Sequence, residues 1–108
     1  MNEKKISASH ILIMHQDSQS SRSTLSKDDA FQRVNELYKK VIENPISFKD
    51  LAIKHSDCSS SSVGGELGSF GRGMMVKEFE EAAFNLKKDE ISKPVETDFG
   101  FHIIKRDG

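Results

Sequence analysis

The stretch Ile6 to His15, reading ISASHILIMH, most limits what this chain can fold into. Its even positions, Ile6, Ala8, His10, Leu12 and Met14, fall on one face of an extended backbone, and Ile11 and Ile13 fall on the other. Side chains alternate across a strand, so apolar residues on both faces mark a strand covered on both sides and central in its sheet. His10 then projects toward an interior. Phe101-His102-Ile103-Ile104-Lys105 repeats the pattern near the other end, with His102 and Ile104 on one face and Phe101 and Ile103 on the other.

Between these strands the pattern turns helical. Gln16 to Ser26 is a polar loop, longer than the usual connection. Ser26 and Asp29 form a short-armed capping box. Ala30, Phe31, Val34, Leu37, Tyr38, Val41 and Ile42 then recur at helical spacing as one apolar stripe, which Asn44-Pro45 ends. Ser47 is expected to cap a second, shorter helix with Phe48, Leu51 and Ala52 facing inward. Leu67 to Phe70 reads as a short strand, and Val76 to Leu86 as a third helix burying Phe79, Ala82, Ala83 and Leu86. Pro94 demotes Ile91–Thr97 to an edge or a strand start, and Asp98-Phe99-Gly100 is a turn. The order gives α+β: a small, mostly antiparallel sheet flanked by helices. The expected division is a short tail over 1–6 and one domain over 7–108.

Composition removes several function classes. The 16 basic and 17 acidic residues leave a net charge of −1, without the clustered cations that bulk nucleic-acid binding needs. Cys58 is the single cysteine, which excludes an internal disulfide and suits a reducing compartment, cytosol or nucleus. The apolar run near the start is too short for a leader peptide or a membrane span. A monomer without cofactor or metal is expected, because one cysteine and no paired-histidine spacing give no zinc pattern.

The segment His55 to Phe79, HSDCSSSSVGGELGSFGRGMMVKEF, holds that cysteine and five of the seven glycines. Poor in helix formers, it reads as a site, with glycines that let a ligand's backbone come close. Leu67, Phe70, Met74, Met75 and Phe79 stand ready as a pocket wall. A lone buried histidine is usually a hydrogen-bonded core residue. His10 and His102 on neighbouring strands, with Cys58 and the Thr97 hydroxyl, instead suggest a hydrogen-bonded network. Cys58 and a histidine also suit a nucleophilic pair, but no third orienting partner is visible.

Ser9-His10-Ile11-Leu12, Ser56-Asp57-Cys58-Ser59-Ser60, Gly64-Gly65-Glu66-Leu67-Gly68-Ser69-Phe70, Arg72-Gly73-Met74-Met75 and Gly100-Phe101-His102-Ile103-Ile104 together resemble the parvulin family of peptidyl-prolyl cis/trans isomerases. The likeness runs from about Ser7 to Arg106, and the Ser-Asp-Cys-Ser-Ser segment is similar to the Pin-type branch. It implies a four-stranded antiparallel sheet surrounded by about four helices, the fourth a short turn around Arg72–Met75. It also implies a proline pocket of Leu67, Met75 and Phe79, a catalytic centre of His10, Cys58 and His102 supported by Thr97, and Ser56 lining the site. The substrates implied are proline-containing peptides and proteins.

Pin-type members prefer proline preceded by phosphoserine or phosphothreonine, and here the chain departs from them. Met14 stands at the position of a phosphate-binding lysine, the loop offers Arg22 in place of two arginines, and Phe99 replaces a small serine. Arg22, helped by Lys27, is the candidate phosphate contact. Each missing charge-assisted contact is worth on the order of 1.5–3 kcal/mol, so a weakened phosphate preference is expected. The WW module of some relatives is not expected in this chain. The alternative to an isomerase is a binding or chaperone-like module using the same groove, suggested by a mobile-looking Ser59–Gly65. A third reading is redox sensing at Cys58.

Overall fold

The computed structural model describes residues 5–19, 21 and 23–108. In chain order it contains strand β1 (Ile6–Ile13), helix α1 (Lys27–Glu43), a 3-10 turn (Pro45–Ser47), helix α2 (Phe48–His55) and a second 3-10 turn (Ser59–Val63). Strand β2 (Glu66–Phe70), helix α3 (Lys77–Asn85), strand β3 (Val95–Thr97) and strand β4 (Gly100–Arg106) complete it. The strands form one antiparallel sheet in the order β2-β1-β4-β3. The two strands with apolar residues on both faces, β1 and β4, are the central pair, as their alternation demands.

Each face of that pair has its own core. Ile11, Ile13, Phe101 and Ile103 pack on Ala30, Val34, Leu37 and Val41 of α1 and on Phe48 and Ala52 of α2. Ile6, Ala8 and Ile104 pack with Phe70 and with Phe79, Ala83 and Leu86 at α3. His10 and His102 belong to this second face, so α3 covers the histidines.

Helix α1 starts as its sequence requires: Ser26 Oγ accepts the Asp29 N–H at 3.0 Å, and Asp28 and Asp29 sit in the first turn where the helix dipole favours them. Ser47 behaves otherwise. Its backbone is already helical and its hydroxyl donates to the Asn44 carbonyl at 2.6 Å, so Pro45–Ser47 winds directly into α2 without a side-chain cap. Pro94 acts as expected. The regular pairing of β3 begins only at Val95, and the Ser92 hydroxyl takes the Ile104 N–H at 3.0 Å just before it.

One further expectation is corrected, the fourth helix. There are three α-helices among the described residues, and Arg72–Met75 is a turn. Gly73 holds a left-handed φ of 87°, its N–H goes to Glu80 Oε1 at 2.6 Å, and the Gly71 N–H goes to Met74 Sδ at 3.3 Å, leaving no helical ladder. The Ser59–Gly65 stretch is wound, with Ser61 N–H on the Cys58 carbonyl (2.9 Å) and Gly65 N–H on the Ser60 carbonyl (2.8 Å). The loop after β1 is tied at its base, where Gln16 N–H meets the Leu25 carbonyl at 2.8 Å and Gln19 N–H meets the Asp98 carbonyl at 2.7 Å.

Candidate active site

The site begins with an unfinished sheet edge. Strand β2 pairs with β1 only over Ile6–Ser9, with an irregularity between Ala8 and Ser9, which leaves the outer edge of β1 beyond Ser9 without a strand partner. The segment after α2 takes that edge. His10 N–H donates to the Gly65 carbonyl (2.9 Å), Leu12 N–H to Ser56 Oγ (2.9 Å) and Met14 N–H to Asp57 Oδ2 (2.9 Å), while Asp57 N–H returns to the Leu12 carbonyl (2.7 Å). Buried backbone donors must find acceptors. Here three of them draw a loop against the strand and bring Cys58 to the same groove as His10.

Gly65 makes that approach feasible. A Cβ at this position would stand 2.3 Å from the His10 carbonyl oxygen, and its φ is 86°. The close contact is therefore between two parts of the chain. No glycine is among the residues that line the groove.

On the α3 side of the sheet His10 lies opposite Ile104 and His102 opposite Leu12, which makes the histidines diagonal neighbours on one face. Their Nδ1 atoms are 3.1 Å apart and their rings are stacked with centroids 5.2 Å apart. His102 Nε2 is 2.7 Å from Thr97 Oγ1, which also accepts the Phe99 N–H at 3.1 Å. Burial, and then the neighbouring His10, push the His102 pKa down from 6.5 to about 3, so this imidazole is neutral. Thr97 Oγ1 shares one hydrogen bond with His102 Nε2, and the two Nδ1 atoms share another, so the three side chains form one linked set whose tautomers are interdependent. His10 Nε2 is buried without a hydrogen-bond partner among the described residues, on a residue that borders the groove.

The groove is a cavity of about 500 Å³ in which His10, Cys58, Leu67, Met75, Phe79 and His102 meet. His10 and His102 form the floor and Cys58 one side; Leu67, Met75 and Phe79 close one end. The Phe79 ring meets both imidazoles edge-on, at 5.4 Å from His10 and 5.3 Å from His102. The turn carrying Met74 and Met75 is held by Glu80, whose carboxylate also pairs with Arg72 at 3.2 Å, while the Arg72 guanidinium lies 4.3 Å over the Phe84 ring. Cys58 is half-buried, and its thiol is lowered from 9.0 to about 6. The nearby His10 imidazole is the main cause, partial burial opposes it, and Ser60 adds to the lowering, although no nitrogen of His10 makes a regular hydrogen bond to the sulfur.

Other expected residues lie elsewhere. Thr97 does not line the groove itself; it is bonded to two residues that do, His102 and Phe99. Ser56 braces the loop, accepting from Leu12 and from the Cys58 N–H at 3.4 Å, and does not line the groove. The Lys27 ammonium pairs with Glu96 at 2.7 Å, which raises its pKa, in a separate polar hollow with Asp17 and Asp98. Arg22 falls outside the described residues. Leu12, Asp57 and Val76 line the groove without having been singled out. For Leu12 the signal was present, since it shares the face of His10 two residues on.

A sheet whose central strands present a histidine pair to an apolar groove under a single helix defines the class. The model of the rotamase family, the PPIC-type PPIase domain, matches residues 10–108. A peptidyl-prolyl cis-trans isomerase Pin1 of Digitalis lanata is 49% identical, with 100% of each chain covered. The pin1 isomerase of Schizosaccharomyces pombe is also 49% identical, covering 97% of this chain and 63% of its own length. The solved structure of the isomerase ESS1 from Candida albicans superposes with a TM-score of 0.93 at 34% identity, over 96% of this chain and 63% of that one. The chain belongs to the parvulin family, the PPIC-type peptidyl-prolyl isomerases.

Proposed function

We propose that this domain accelerates cis–trans rotation about X–Pro bonds in peptides and proteins by a non-covalent route. The observation that carries the reading is the joining, in one groove, of an apolar end (Leu67, Met75, Phe79) to a polar floor (His10, His102, Cys58). Rotation of a peptide bond crosses a barrier of about 18–20 kcal/mol, set by amide resonance. A pyrrolidine ring gripped at the apolar end holds one side of the bond while the preceding carbonyl swings over the floor. The charge-separated resonance form places negative charge on that carbonyl oxygen. Apolar walls, and a thiolate at Cys58, disfavour it and so favour the twisted amide, in which the charge is withdrawn. The histidines and Thr97 keep Cys58 and the floor in one arrangement. Cys58 acts through its charge and attacks nothing. Its free thiol suits a reducing compartment, cytosol or nucleus, and the domain works as a monomer.

Some relatives are named Pin1, and a phosphate preference would be the Pin-type specialisation. In this chain we expect it to be weak, since Met14 lines the groove and Lys27 is held by Glu96. Exchange NMR on short X–Pro peptides tests both points. Acceleration over the solvent rate is expected, with a phosphoserine-proline peptide no more than a few-fold better than glutamate-proline. No acceleration of any X–Pro peptide would remove the isomerase reading. A hundredfold phosphate gain that disappears in Arg22→Ala would restore the specialisation.

A further inference from the structure

Met74, Met75 and Val76, three of the residues that line the groove, belong to a turn that lies mostly in solvent. Arg72, Gly73, Met74 and Val76 are exposed, Met74 by 65%, and Met75 is half-buried. A segment with so little buried surface opens readily unless something ties it. Inside the turn the Gly71 N–H reaches Met74 Sδ at 3.3 Å, a bond to a weak acceptor. The strong tie comes from helix α3. Glu80 Oε1 takes the Gly73 N–H at 2.6 Å, and Glu80 Oε2 takes the Arg72 guanidinium at 3.2 Å.

Helix α3 begins after Val76 without a side-chain cap. A carboxylate in a first turn ordinarily reaches its own helix's free N–H groups or the cap residue. Glu80 instead reaches back past the cap to Gly73, and its side chain is only 16% exposed. Phe79, its neighbour in the helix, is a wall of the pocket. One turn of α3 therefore carries both that wall and the clamp on the segment that supplies the next one. With Gly73 tied to α3 and Val76 leading into it, the Met74–Met75 pair is fixed at both ends. We infer that Glu80 is a positioning residue for the proline pocket, holding Met75 through the Gly73 N–H at the spacing from Phe79 and Leu67 that grips a pyrrolidine ring. The Gly73 bond carries this role. It is short, charge-assisted and made to the chain itself, whereas the Arg72 side chain is half-exposed and also rests 4.3 Å over the Phe84 ring.

The inference rests on the isomerase reading, and the two can fail separately. Exchange NMR is run on two peptides of one frame, one with proline after alanine and one with N-methylalanine there. Both contain a tertiary amide that turns, and only the first has a ring to grip. Acceleration of the Ala-Pro peptide by the parent tests the isomerase reading alone. The parent's kcat/KM should favour the ring. In Glu80→Ala that preference should fall by about tenfold, with KM for Ala-Pro rising and kcat staying within a few-fold. Glu80→Gln keeps an oxygen for the Gly73 N–H and gives up the charge, so it should retain most of the preference. Because each preference is a ratio read on one protein sample, a loss of folded protein cancels from it. A Glu80→Ala protein with the parent's preference and KM overturns the inference, as does a parent indifferent to the ring. A fall in kcat at unchanged KM overturns it by moving the effect to the floor. Glu80→Gln as poor as Glu80→Ala overturns it too, since the charge pair with Arg72 would then be the anchor.

Discussion

The floor and the side wall of the groove are built by opposite means. His10, His102 and Thr97 are each at least nine-tenths buried and sit on three strands, so sheet register sets their separations. Cys58 stands on a short wound segment that is partly exposed and is held to β1 by hydrogen bonds to the backbone of one edge. The floor is part of the fold and cannot be changed without cost to stability. The wall is an attachment whose chemistry can vary while the fold stays intact. Geometry therefore belongs to the strands, and charge to the loop.

Mutations at the junction of floor and core should give the largest effects. Phe79 is 3% exposed and belongs both to the α3-side core and to the groove. Phe79→Ala should cost about 3–5 kcal/mol in stability and most of the isomerase activity together. Urea unfolding monitored alongside peptide exchange would show it. A stable variant that has lost activity would separate the pocket from the core and break the comparison.

Next comes the floor itself. Thr97→Val keeps the shape and removes the hydroxyl from His102 Nε2, leaving a buried ring nitrogen without its partner at a cost of about 1–3 kcal/mol. The same pair gives a pH signature. Folded His102 has a pKa of about 3 against 6.5 for a free histidine, so below 6.5 the unfolded chain binds a proton that the folded chain refuses. Stability from this group is complete above pH 6.5 and is lost as the pH falls toward 3. Stability measured across that window should decline in the parent. Ring-nitrogen shifts of His102 that report an imidazolium at pH 6 would contradict the neutral floor.

The wall should give the smallest structural effect. Cys58→Ala should leave unfolding nearly unchanged and lower the rate only moderately. Alkylation of Cys58 by iodoacetamide should rise with pH to a midpoint near 6 and level off well before 9.0, because the thiol is already ionised. A midpoint close to 9 would mean that His10 does not act on the thiol, and a large loss of stability in Cys58→Ala would make the wall part of the fold.

Much of this arrangement was legible in the residues. The alternation through Ile6–Met14 and Phe101–Ile104 placed both strands at the centre and both histidines on one face. Ser26 and Asp29 located the start of α1, and the apolar stripe located its buried face. The likeness of Leu67, Met75 and Phe79 to a proline pocket named three residues that the structure brings together in one groove. What could not be read was local and competitive. Arg72–Met75 is a turn because Glu80 takes the Gly73 N–H, and Ser47 forgoes a cap because Asn44 accepts its proton. Such contests between nearby acceptors are decided by small energy differences that periodicity does not record.

The sequence by itself determined which residues lie on which face of which strand, since a period of two leaves no freedom once one face is buried. It also determined the apolar character of the groove's far end, through Leu12, Met14 and Phe99. Only the tertiary structure decided which segment takes the edge of β1 beyond Ser9, and with it the neighbours of Cys58. That choice depends on three backbone donors, at His10, Leu12 and Met14, finding acceptors 43 to 55 positions further along the chain. Such pairing is invisible to any local pattern. It turns the His55–Phe79 stretch from a flexible cradle into the wall of a groove.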